Sequence, residues 1–235
     1  GKCIHSCPFG AIASKTFIVP VINALREGKH IYAMAAPATE GQFGADITME
    51  SWRKAMKELG FVDFYDVGLG GDMTAAYEAE EWAEAYKEGQ KKVTSCCPAF
   101  VSYIEKNFPS LVPNISHNLS PMAQIAKWLH ETDPSCHVVF IGPCIAKKAE
   151  TKYTKTKEFV DYTITFEEMQ AMFSARGIDV TKMEKAELDN ASFFGRIFAR
   201  CGGLSDAVAE ALKEQGITDF ELKGVSCDGI EQCKI

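Results

Sequence analysis

The stretch HVVFIGPC, residues 137–144, decides the fold class. Val138, Val139, Phe140 and Ile141 form a continuous apolar run too short for an ordinary helix and closed by Gly142 and Pro143. Such a run reads as a strand buried on both faces, with Cys144 at its exit. Working outward, KHIYAMAAPA (29–38) is a second strand candidate that stops at Pro37. DITMESWRKAMKELG (46–60) has apolar residues at helical spacing and Gly60 at its end. A short strand, FVDFYDV (61–67), leads through a GLGGD loop (68–72) into a helix over 73–89. KKVTSCCPAF (91–100) reads as a strand running into a cysteine pair, and AQIAKWLHETD (123–133) as a helix. TFEEMQAMFSARG (165–177) and LSDAVAEALKEQG (204–216) are amphipathic helices with glycine stops, and DFELKGVSC (219–227) is a last strand. Strand and helix alternate throughout, which predicts an α/β fold with mainly parallel strands. Chemistry in such sheets collects at the carboxyl ends of the strands, where the loops AAPA (35–38), TSCCP (94–98) and GPC (142–144) fall.

Composition narrows the function. A chain of 235 residues, 46% of them hydrophobic, can bury a substantial core in one larger domain or two lobes. A net charge of -7, with Lys and Glu interspersed, offers no basic field to a nucleic acid and no charged block to a membrane surface. FIVPVI (17–22) and HVVFIG (137–142) are too short to span a bilayer, and the start lacks the order of a signal peptide. We therefore expect a cytoplasmic protein with neither nucleic-acid nor membrane partners. Nine cysteines in a chain this large, an odd number without an export signal, favour metal or redox chemistry over a disulfide scaffold. Cys136 and Cys201 read as small buried hydrophobes. Thiolates suit iron–sulfur clusters or zinc, but no C-x-x-C pair supports a zinc ribbon. Taken alone, EAEEWAE (78–84) is a solvated acidic face and Lys147 a surface lysine.

Larger patterns change that reading. GKCIHSCPFGAI (1–12) is the second half of the bacterial ferredoxin run C-x2-C-x2-C-x3-C-P, with Cys3 and Cys7 in its last two cysteine positions. Residues 1–14 then read as the end of a ferredoxin-like 4Fe-4S domain whose first cysteines lie upstream. Behind them, GGDMTAAYEAEE (70–81), TSCCPAF (94–100) and GPCIAKKAE (142–150) resemble the catalytic domain of the iron-only (FeFe) hydrogenases, a similarity that covers essentially the whole chain.

The resemblance implies two lobes of mainly parallel β-sheet flanked by helices, over 15–130 and 131–235, with the cluster site in the cleft between them. It implies the reaction 2H⁺ + 2e⁻ ⇌ H₂ at an H-cluster, a 4Fe-4S cluster joined to a diiron unit with CO and CN ligands. Partners follow: protons and H₂, ferredoxin or another electron carrier, and maturation proteins that supply the diiron unit. By the same resemblance Cys97 and Cys144 are cluster ligands, while Cys96 is free and passes protons. Adjacent side chains in extended backbone point to opposite sides, which suits that division, and a thiol can both donate and accept a proton. Glu78 and Glu81, on one helix face at i,i+3 spacing, and Ser116 match the proton path. Lys147 matches the lysine that holds a cyanide ligand, and Pro37 and Ala38 the lining of the diiron pocket.

Departures from the pattern leave alternatives open. The family's third motif, E-x-M-A-C-x-x-G-C, is absent, and Cys227 and Cys233 have the wrong spacing for it, so we expect the reading frame to continue past Ile235. Gly142 stands where producing enzymes have methionine and Phe100 where they have tryptophan, as in members that sense hydrogen. A glycine there is expected to leave space or water beside the diiron unit. A second reading is a non-catalytic relative such as the Nar1-like cluster-assembly proteins. The joint presence of Cys96, Glu78, Glu81 and Lys147 argues against it, since a scaffold has no need of a proton path. A thiol–disulfide role for Cys96 and Cys97 is disfavoured by the strain of a vicinal disulfide.

Overall fold

Helices and strands follow in the order α1 (Lys2–His5), α2 (Ile18–Arg26), β1 (Ile31–Ala35), α3 (Met49–Leu59), β2 (Phe64–Asp66), α4 (Gly68–Lys87), α5 (Pro98–Asn107), α6 (Pro121–Thr132), β3 (His137–Gly142), α7 (Ala146–Glu150), β4 (Tyr162–Thr165), α8 (Phe166–Arg176), α9 (Phe193–Arg196) and α10 (Gly203–Glu214). The computed structural model describes residues 2–188, 191–219, Leu222 and Gln232. The strand expected over 219–227 lies almost wholly outside these residues, as do Cys227 and Cys233. Among the described residues no helix is long and apolar enough to cross a membrane. The chain forms two compact units, one from residues 1–65 and 126–189, the other from 66–125 and 190–235. Each takes two separate stretches of the chain.

The first unit is built on a four-stranded sheet in the order β2-β1-β3-β4. β3 pairs in parallel with β1, from Ile31↔His137 to Ala35↔Ile141, and with β4, from Val139↔Tyr162 to Gly142↔Thr165. Ala33, Ala35, Val139, Ile141 and Ile164 present one face to a core containing Trp52, Met56, Met169 and Phe173. Trp52 meets Phe43 and Phe173 edge-to-face, a favoured aromatic geometry. By alternation Met34, Val138, Phe140 and Thr163 face the other way, and they too are buried. Both faces of β3 are thus covered, as its unbroken apolar run requires. The helices stop where expected: Gly60 (φ 106°) and Gly177 (φ 67°) are left-handed C-caps of α3 and α8. Thr165 and Glu168 add a reciprocal capping box that starts α8 directly at the end of β4.

Together with its helices the four-stranded parallel sheet gives the α/β fold expected, and among its described residues the second unit is mainly helical. In KKVTSCCPAF the predicted strand reduces to one parallel bridge, Val93 to Ile115, and α5 begins at Pro98 in the favoured first helical position. The GLGGD segment is no loop either, for α4 begins at Gly68. Asp66 anchors that start by accepting a hydrogen bond from the Gly68 N–H (2.8 Å) and pairing with Arg196 Nε (2.8 Å). Gly70 and Gly71, both within the helix, have no room for a side chain because backbone presses on them, the Pro121 carbonyl on one and the Gly195 carbonyl on the other. Further along α4, Ala75, Ala79 and Ala83 pack on Ala207, Val208, Ala211 and Leu212 of α10. Cys136 is buried as expected, and burial pushes its thiol up to about 11. Cys201 is exposed, contrary to expectation, because it sits in the surface turn before α10.

A methyl group at position 70 cannot avoid the Pro121 carbonyl without moving backbone. Gly70→Ala is therefore expected to cost about 1–3 kcal/mol, the usual range for overpacking. Glu80→Ala, on the exposed side of the same helix, is expected to stay within about 0.5 kcal/mol. Urea midpoints of the two variants measure this, and equal midpoints would show that α4 slides freely at Gly70.

Candidate functional site

In the first unit, β1 and β3 end side by side, and the Ala36 N–H donates to the Ile141 carbonyl at 2.9 Å. The segments after them, with Pro37 and Ala38 on one and Cys144 and Lys147 on the other, therefore leave the same end of the sheet. Pro37 opens a 3-10 turn and Ala38 packs on the core. Cys144 is half-buried. Lys147 is no loose surface lysine: its side chain is 15% exposed, and its Nζ lies 2.7 Å from the Glu150 carboxylate and 6.0 Å from the Phe140 ring centroid. Lys148 turns elsewhere and pairs with Glu168 at 2.7 Å. The space expected at Gly142 is filled, since a Cβ there would come within 2.6 Å of Phe140 Cε1.

The amino-terminal cysteines lie in this unit too. Cys3 is exposed on α1, and Cys7 is half-buried. Backbone N–H groups of Phe9 and Ala11 directed at Cys7 hold its thiol below the usual value. A loop that stabilises anionic sulfur in this way suits a metal-binding thiolate.

In the second unit, α4 turns Glu78 and Glu81 toward the segments joined by the Val93–Ile115 bridge. Two backbone hydrogen bonds, Ser116 N–H to the Val93 carbonyl (2.8 Å) and Val93 N–H to the Asn114 carbonyl (2.9 Å), set their register. Glu78 is fully buried, and its Oε1 accepts from the Thr94 hydroxyl at 2.9 Å. That hydroxyl oxygen accepts in turn from the Cys96 N–H at 3.1 Å. Glu81 accepts from the Ser116 hydroxyl (2.6 Å), the Asn118 amide (2.8 Å) and the His117 N–H (3.2 Å), with Lys92 Nζ at 3.2 Å. Glu78, Glu81, Ser116 and the Cys96 backbone thus meet in one unit. Sequence reasoning missed Thr94, Asn118 and Lys92, although Thr94 and Asn118 lie only two residues from Cys96 and Ser116.

These surroundings drive the two carboxyls apart. Burial pushes Glu78 up to about 7 against the opposing hydrogen bond from Thr94. Its Oε2 has no hydrogen-bond partner among the described residues, an arrangement that suits an uncharged acid. Burial also acts on Glu81, but the Ser116 hydroxyl, the His117 N–H and Lys92 outweigh it and hold that carboxyl below its usual value.

The thiols divide as well. Cys96 is half-buried, while Cys97 is exposed at the N-cap of α5, with Pro98 behind it as the first helical residue. Cys97 in the second unit and Cys144 in the first fit iron in kind, as thiolate ligands. A 4Fe-4S cluster takes four thiolates, twice the number that these two cysteines amount to.

Comparison with known proteins places the chain. Iron hydrogenase 1 of Clostridium pasteurianum is 30% identical over 261 residues, covering 97% of this chain and 45% of the relative. A shorter match, 38% identical over 85 residues, covers 36% of this chain and 18% of the cytosolic Fe-S cluster assembly factor NAR1 of Kluyveromyces lactis. Among solved structures, the apo [FeFe]-hydrogenase HydA1 from Chlamydomonas reinhardtii superposes with a TM-score of 0.70 at 25% identity, covering 89% of this chain and 61% of that one. The chain thus spans about half the length of the hydrogenases it matches. Residues 29–235 match the model of the iron only hydrogenase large subunit, C-terminal domain, and the chain belongs to that family.

Proposed function

We propose that this chain is part of the catalytic domain of an [FeFe] hydrogenase, which interconverts protons and H₂, and that its second unit carries the proton path. The observation that carries the reading is the pair of carboxyls with opposite environments, Glu78 near neutrality and Glu81 below its usual range, on either side of Ser116. A cluster of iron and sulfide, held by Cys97 and Cys144 with ligands supplied elsewhere in the protein, would provide the redox chemistry when bound. Lys147 would face the anionic part of that group, with Pro37 and Ala38 lining its pocket. A proton from solvent reaches Glu81, which is 19% exposed, and moves through the Ser116 hydroxyl to Glu78. Glu78, half-protonated near pH 7, holds it in the buried segment. Thr94 fixes the Glu78 carboxyl and the Cys96 backbone in one hydrogen-bonded chain, and the Cys96 thiol makes the last transfer. Gly142 and Phe100 favour a member that senses hydrogen over one that produces it. Electrons would come through the Cys3 and Cys7 segment from a ferredoxin or similar carrier, and maturation proteins would install the diiron unit. The match to NAR1 supports a second reading, a cluster-assembly protein without hydrogen chemistry.

One experiment separates the two. In matured protein carrying a full set of cluster ligands, Cys96→Ala is expected to retain iron and lose about 10²–10⁴-fold in hydrogen evolution from a reduced dye, the range for a lost acid–base group. Cys97→Ala is expected to lose iron itself. Iron and sulfide analysis alongside the rate reads both, and a protein that holds iron, evolves no hydrogen and is indifferent to Cys96→Ala is the assembly factor instead.

The acid at position 78 also leaves a mark on stability. Its folded-state pKa lies above the unfolded value, so its contribution is complete below about pH 4.5 and is lost as pH rises to about 7. Glu78→Gln, which cannot ionise, is expected to gain stability relative to the parent across that window. Urea midpoints at pH 5 and pH 8 test it, and a difference that stays constant would mean that Glu78 is ionised throughout.

A further inference from the structure

Two residues apart on β3, Phe140 and Gly142 project to the same face of the sheet, and that face is buried. Were position 142 to carry a Cβ, it would lie 2.6 Å from Cε1 and 2.8 Å from Cζ of the Phe140 ring, with the Ala36 methyl at 3.6 Å on its far side. Real carbons do not approach so closely, so the ring in this position and a side chain at 142 exclude each other. Phe140 is only 2% exposed, which leaves its ring few places to go. The ring also lies under the Lys147 ammonium, 6.0 Å from its centroid, while the Glu150 carboxylate takes that ammonium at 2.7 Å. The two supports differ in kind. Glu150 compensates the charge, whereas an aromatic face attracts a cation without accepting an N–H in the manner of an oxygen.

We propose that Phe140 is a positioning residue for Lys147, and that Phe140 and Gly142 are one matched pair in which the ring takes the volume of the missing side chain and supports the ammonium. Gly142 is then a condition for the lysine's placement rather than a gap beside it. The proposal rests on the reading that Lys147 serves a bound anionic group, but the geometry concerns this chain alone and can be tested without any cluster.

The experiment measures acylation of Lys147 by a lysine-reactive reagent in the cluster-free 235-residue chain, read by peptide mass spectrometry. Lys148, buried against Glu168, is the internal reference. Phe140→Leu keeps apolar volume and removes the aromatic face, and it is expected to raise the Lys147-to-Lys148 labelling ratio about three- to tenfold. Phe140→Tyr keeps the face and is expected to leave the ratio within about twofold of the parent. Gly142→Met displaces the ring and is expected to raise the ratio as Phe140→Leu does. Phe140→Ala combined with Gly142→Met is expected to recover at least half of the unfolding midpoint that the two single changes lose, because contacting residues are not additive. Should Gly142→Met fail to fold, Gly142→Ala makes the same contact with the ring and replaces it. An unchanged ratio in folded Phe140→Leu, or losses in midpoint that simply add, overturns the proposal. Failure here leaves hydrogen evolution untouched as a test of the hydrogenase reading, so the two can fall separately.

Discussion

A strand with no polar face has to be covered on both sides and paired along both edges, and β3 imposes that constraint on the first unit. Its neighbours β1 and β4 supply parallel ladders, and Ala33, Ala35 and Ile164 extend its inward surface onto the core around Trp52. Parallel pairing leaves the carboxyl ends of β1 and β3 adjacent, so the loops that follow them have no freedom to separate. Pro37, Ala38, Cys144 and Lys147 leave one end of the sheet because residues 138–141 form an unbroken apolar run. The strand that makes the core thus also decides where these four residues leave the sheet.

The second unit solves a different problem, that of keeping two carboxyls close to each other in different charge states. Buried acids ordinarily rise together, and the distinction here comes from donor count. Glu81 has a hydroxyl, a backbone N–H, a side-chain amide and an ammonium around it, whereas the deeper Glu78 is held by the Thr94 hydroxyl and keeps one oxygen without a hydrogen-bond partner among the described residues. One bridge, Val93 to Ile115, brings both sets of donors to α4 in register. The pair thus combines an acid near neutrality inside with one held below its usual value nearer solvent.

Much of the first unit was legible because its signals are local. Pro37 ends β1, Gly60 and Gly177 end helices, and the Thr165–Glu168 box starts one. Where reading failed, the cause lay in packing that a residue's own type does not reveal. Three glycines in GLGGD look like a turn, but Gly70 and Gly71 are helical residues kept small by Pro121 and Gly195. Cys201 lacks cover because it falls in a turn, which its apolar character does not reveal. Residue pattern alone read EAEEWAE as solvated, and only the family resemblance pointed to Glu78 and Glu81. Lys92 gave no signal at all, since nothing in its own neighbourhood requires a carboxylate. Gly142 looked like an absence because the ring that fills it belongs to Phe140, an ordinary apolar residue in a strand.

At Cys96–Cys97 and at Lys147–Lys148 the chain sets two like residues side by side in different surroundings. Cys96 and Cys97 separate where extended backbone turns into α5, one tied through its N–H to Thr94 and the other capping the helix. Lys147 and Lys148 separate by one helical step in α7, which rotates the second side chain by roughly 100° from the first. Lys148 is the more deeply buried, and a buried ammonium has to be compensated. Its partner Glu168 also closes the capping box of α8 through the Thr165 N–H, so one carboxylate secures both a helix start and a lysine. The same ammonium reaches the Lys15 carbonyl at 3.0 Å and the Ser14 hydroxyl at 3.3 Å, the residues that follow the Cys3 and Cys7 segment. Lys148 thus ties the segment after Cys3 and Cys7 to the start of α8, one peptide bond away from Lys147.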